Sequence, residues 1–153
     1  APGKTVMAHV RQQIREQMQA VLLAGVASAS GRVYTSRVYA LNQLSLPAVT
    51  ISFDSERSGL ITIGSRTMDR TVNIMLDVYS AAISDLDDAL DAICVEVEES
   101  VAGDFTMNGL AKSCLLTSTD LSLTGGSETP IGVARLTYAV SYVTSITDVE
   151  TAR

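Results

Sequence analysis

Apolar positions along this chain keep two different periods. Val6, Val10, Ile14, Met18, Val21 and Leu22 recur at spacings of three and four, which predicts an amphipathic helix over residues 5–24 stopped by Gly25. Leu86, Leu90, Ile93, Val97 and Val101 form a second stripe of the same kind. Its start is marked by Ser84 with Asp87 three residues on, a variant of the capping box, and its end by Gly103. Elsewhere the period drops to two, the signature of half-buried strands. Val49, Ile51 and Phe53 share a face in residues 48–53, which Pro47 opens. Val72, Ile74, Leu76 and Val78 do so in 71–79, and Leu136, Tyr138, Val140 and Tyr142 in 132–145. Residues 32–34, continuing toward Tyr39, and 113–123 complete the expected strands, with Gly125 and Gly126 in the turn that follows.

Strands therefore come in neighbouring pairs and not in alternation with helices. That order predicts an α+β domain: a largely antiparallel or mixed β-sheet with two main amphipathic helices packed on one face. Residues 1–153 are expected to form a single domain, with 145–153 a loose polar tail. Residues 54–70 fit neither period cleanly. They carry Asp54, Glu56, Arg57, Arg66, Asp69 and Arg70 around Leu60-Ile61-Thr62-Ile63, and read as an extended charged hairpin or loop leaving the body of the domain.

Composition narrows the function. Of 153 residues 46% are hydrophobic, enough for a real core, while aromatics are only 5% and Trp is absent, too few for a stacking surface. The net charge of −6 argues against binding duplex nucleic acid, which needs clustered cations. No run approaches the roughly 18 apolar residues of a membrane span. Nor does the N-terminus show a basic region followed by an apolar run and a cleavage site, so the expected compartment is the cytoplasm or an assembly made there. Cys94 and Cys114 both lie among apolar neighbours and are expected as buried free thiols.

Catalytic motifs dissolve on inspection. Gly3-Lys4-Thr5 resembles the end of a phosphate loop, but only Ala1 and Pro2 precede it, and Thr5 is more simply a helix cap. Asp87-Asp88-Ala89-Leu90-Asp91 matches the acidic string of prenyl-transfer enzymes without their long helical fold. As first-turn residues Asp85, Asp87 and Asp88 instead offset a helix dipole. His9 has no nucleophile motif around it and is expected at an exposed helix position. A zinc site from His9, Cys94 and Cys114 lacks paired ligand spacing. No catalytic, cofactor or metal site is expected, and the chain is read as a protein that assembles and not as an enzyme.

The order of elements, with Leu46-Pro47-Ala48-Val49-Thr50-Ile51 and Leu136-Thr137-Tyr138-Ala139-Val140-Ser141-Tyr142 as its most specific strings, resembles the tail terminator family of long-tailed bacteriophages. The resemblance runs over nearly the whole sequence. It implies a virion protein, assembled in the host cytoplasm and placed at the head-proximal end of the tail. Such a protein forms a hexameric ring that caps the tail tube, stops its growth and offers a surface for head-tail joining. The implied partners are further copies of the chain, the tail tube protein and a head-completion or neck protein, with no cofactor and no membrane. DNA would pass the lumen without sequence-specific binding, and the acidic balance suits that passage. Asp54, Glu56, Arg57, Arg66, Asp69 and Arg70 are the candidates for the subunit or tail interface. Two alternatives stay open: a tail tube or head-tail connector protein of the same fold, and a cellular α+β module binding a small molecule or peptide.

Overall fold

The structure, a computed structural model, describes residues 8–35, 46–64, 66–81, 85–124 and 131–153. Helix α1 (Val10–Gly25) is followed by a single 3-10 turn and strand β1 (Val33–Thr35). Then come β2 (Ala48–Thr62), β3 (Thr67–Ala81), helix α2 (Leu86–Ala102), β4 (Ser113–Thr124) and β5 (Ile131–Ser145). The five strands form one mixed sheet in the order β1-β2-β3-β5-β4. Only β1–β2 is parallel; every other neighbour is antiparallel. With its two helices, the architecture is α+β, as the periodicities predict.

One face of this sheet holds the core. Directly opposed residues of an antiparallel ladder share a face. The pairs Ile51–Leu76, Leu76–Leu136, Ile74–Tyr138 and Val72–Val140 thus stack three rows of side chains across β2, β3 and β5. Onto these rows α1 lays Val10, Ile14, Met18 and Leu22, all fully buried, and α2 lays Leu90, Ile93, Val97 and Val101. Each such side chain contributes about 1.5–3 kcal/mol by leaving water. Glycine at 132 is part of the fit, because a Cβ there would stand 2.7 Å from Leu90 Cδ1.

Several boundaries differ from the sequence reading, each for a local reason. The helix expected from residue 5 begins, among the described residues, at Val10; Thr5, its expected cap, lies outside them. His9 is the N-cap itself and not an exposed helix position. Its Nδ1 accepts a hydrogen bond from the Arg11 amide at 3.0 Å. Ser84 also lies outside the described residues, and Asp85, with φ 57°, occupies the cap of α2. Both long hairpin strands overrun their predicted ends, since pairing continues where the hydrophobic alternation stops. Residues 145–153, polar enough to suggest a loose end, are held by hydrogen bonds. The Val10 amide donates to the Val149 carbonyl at 2.9 Å, Gln13 Nε2 to the Glu150 carbonyl at 2.7 Å, and the Arg153 amide to the Val143 carbonyl at 2.8 Å. Cys94 and Cys114 are buried free thiols.

Candidate assembly surface

Residues 54–62 and 67–70 are laid down as sheet. β2 and β3 run antiparallel to the pair Thr62–Thr67, and β5 follows β3 as far as the pair Thr67–Ser145. The segment is therefore backed by a third strand along its length and is not a separate loop. Its irregular sequence is explained by register shifts between Phe53 and Glu56 and between Leu60 and Thr62. Such bulges displace the side-chain alternation and bend the strand.

The first shift turns Glu56 to the core side of the sheet, opposite Val72. There it meets two arginines and a tyrosine. Arg11 Nη1 reaches Glu56 Oε2 at 2.6 Å and Arg70 Nη1 reaches the same oxygen at 3.3 Å, while the Tyr142 hydroxyl donates to Glu56 Oε1. Arg70 Nε also donates to Thr144 Oγ1 at 3.0 Å, and Thr144 is fully buried. The Arg11 and Arg15 guanidiniums lie 6.0 and 5.1 Å from the Phe53 ring centroid. This node closes the core under the first turn of α1, with one carboxylate shared between two guanidiniums and a hydroxyl. Burial, and then the hydrogen bond to Glu56, push the Tyr142 hydroxyl well above its ordinary pKa. Burial, followed by Arg11 and Arg70, lowers that of His9 beside it.

The six residues singled out in the sequence thus divide. Glu56 and Arg70 come together in the node, partly buried and internally paired. Asp54, Arg57, Arg66 and Asp69 remain exposed, and none of the four makes an ion pair among the described residues. Arg57, Leu60, Ile61, Asp69 and Thr71 line an open groove of about 510 Å³ on the hairpin. Arg66 sits at the turn with φ 52°, its carbonyl accepting from the Ile146 amide. Around it Leu60, Ile61 and Ile63 expose 49%, 51% and 86% of their surface.

A second surface escaped the sequence reading. β4 is an edge strand: it pairs with β5, and no other described strand pairs with it. Leu115, Leu116, Leu121 and Leu123 are all exposed on it, and Asp120 is the one charged residue along its length. A shift between Leu116 and Ser118 resets its alternation. Leu116, Leu121 and Leu123, opposite Tyr138, Ala134 and Gly132, consequently lie on the same face as α2, past the helix's cover. The paired leucines at 115 and 116 were visible in the sequence, but that their strand ends the sheet was not. Among the described residues no group of His, Cys, Asp and Glu is arranged to hold a metal ion, and no helix is long and apolar enough to cross a membrane.

No family model matches the chain, and no curated protein matches it. Among solved structures it is similar to a chain of the "Virion of native gene transfer agent (GTA) particle", with 13% identity and a TM-score of 0.37 over 87% of this chain and 92% of that one. Similarity at that level defines neither fold nor role.

Proposed function

We propose that this chain is a virion structural subunit that acts by assembly and not by catalysis. In the specific form suggested by the sequence resemblance, it is a tail terminator whose ring caps a tail tube and receives the head-completion proteins. The observation that carries the reading is β4. A long edge strand with four exposed leucines and a single charge lacks the lysines, prolines and shortness by which monomeric proteins protect sheet edges. Such an edge is a template for another chain. The opposite edge differs from it, since β1 spans only Val33–Thr35 and, among the described residues, leaves the outer side of β2 beyond Ile51 without a strand. Two unlike edges favour a heterologous contact, and a heterologous contact that closes makes a ring. Six copies in that ring, the tail-tube partner and the head-proximal position come from the resemblance alone.

Electron microscopy of the native particle, with light scattering of the purified chain, tests the proposal. The expected result is a ring of this chain at the head-proximal end of a tail. A chain that stays monomeric at high concentration and is absent from any particle would overturn it.

A further inference from the structure

From the two exposed apolar surfaces we infer that the hairpin end of one copy, residues 57–64 with Arg66, seats on the strip between β4 and α2 of a second copy. This rests on the assembly reading above and names the two surfaces that would meet.

The strip consists of Leu116, Leu121 and Leu123 on the helix side of β4. Leu86 and Leu90 of α2 border it, because a Cβ placed at Gly132 would touch Leu86 Cδ2, Leu90 Cδ1 and Leu123 Cδ2 together. Apolar side chains left open beside a covered core mark a contact surface when they are contiguous. The acids beside them restrict what can cover it. α2 carries Asp87, Asp88, Asp91, Glu96, Glu98 and Glu99 with no Lys or Arg, and none of these acids makes an ion pair among the described residues. Asp91 and Glu98 flank the β4 side of the helix. They lie one turn to either side of buried Cys94, on the flank of α2 turned away from Ser100, whose Oγ stands against Gly25 of α1. The matching occupant is apolar at its centre and positive at its rim.

The hairpin end has that composition. Leu60, Ile61 and Ile63 are its exposed apolar centre, and Arg57 and Arg66 are exposed cations without an ion pair among the described residues. Unlike charges at a rim set orientation and suppress wrong pairings, while the apolar centre supplies contact. Within one copy β5 stands between the hairpin and β4, its Ser145 end meeting the hairpin and its Gly132 end meeting Leu123, so the hairpin serves a neighbour's strip. Each copy then offers one donor and one acceptor surface, the arrangement of a head-to-tail contact.

Two charge reversals test the pairing: Arg57→Glu with Arg66→Glu, and Asp91→Lys with Glu98→Lys. Thermal melts first establish that each variant folds. Each reversal alone should weaken self-association at least about tenfold in light scattering, and the chain carrying both should recover most of it, because the reversed charges again meet opposite signs. A second measurement mixes chains carrying Ile63→Cys with chains carrying Leu121→Cys under mild oxidation. Disulfide-linked dimers should contain one of each, against a low background because Cys94 and Cys114 are buried. Assembly that ignores both reversals, or cross-links only between like variants, would refute this pairing and leave the assembly reading intact. A wild-type chain that does not associate, with cysteine variants that do not cross-link, would also refute the pairing; the assembly reading falls only if the chain is absent from any particle as well.

Discussion

Arg66 and Arg70 sit four residues apart on one hairpin, yet the structure gives them different work. Arg70 lies beside Glu56 in the node with its side chain 12% exposed; Arg66 stands in solvent at the turn. Replacing Arg70 by Glu sets a second carboxylate against Glu56 and strips Thr144 of its donor. Urea unfolding should show a loss of about 2–4 kcal/mol. The same replacement at Arg66 should stay within about 0.5 kcal/mol, as exposed substitutions do. His9 adds a pH dependence. Its folded pKa lies below the ordinary 6.5, so the unfolded chain takes up the proton more readily. The stability it contributes is present above pH 6.5 and is lost as pH falls below it, because a protonated Nδ1 can no longer accept from the Arg11 amide. A His9→Asn variant, which still caps, should lose less stability than wild type between pH 7 and pH 5. At the alkaline end the sign is opposite. Burial pushes Cys94 up to about 11 and Cys114 to about 12 from an ordinary 9.0, so the stability they confer is full below pH 9 and falls as pH rises past it.

Among the elements, α2 and β5 are fitted most closely. Gly132→Ala should cost about 1–3 kcal/mol in thermal or urea unfolding, since the added methyl meets Leu90 and Leu86 together and the helix must lift or a rotamer must turn. The elements were largely legible in the sequence because their stripes face a single core: Ile14 and Met18, or Leu76 and Leu136, are apolar for the reason that they are buried. Residues 54–70 were less legible. Two register shifts break the alternation there, and the node places charged residues where the period calls for apolar ones. Glu56 and Arg70 were readable as an interface because charge in sequence carries no sign of burial. Arg11 and Tyr142, their actual partners, lie 45 and 86 residues from Glu56 and could not be linked to it by spacing. The exposed leucines of β4 were likewise hidden. An apolar strand residue reads as core unless the strand order is known.

At the scale of the molecule, two groups of exposed apolar side chains stand out among the described residues, at the hairpin end and on the β4–α2 strip. If contact between copies runs through them, Leu123→Lys should abolish self-association while leaving the melting temperature within a few degrees of wild type, because Leu123 is 59% exposed in the isolated chain. Strand order has a consequence for synthesis as well. β5 inserts between β3 and β4, so a nascent chain makes β3 and β4 before the strand that joins them exists. Until residues 131–145 have left the ribosome, β3 keeps one bare side, and β4 has no strand to pair with at all. The apolar alternation of β3 and the leucines of β4 then face solvent together. Chaperone demand should accordingly peak in that interval, and messages truncated ahead of β5 should yield insoluble product.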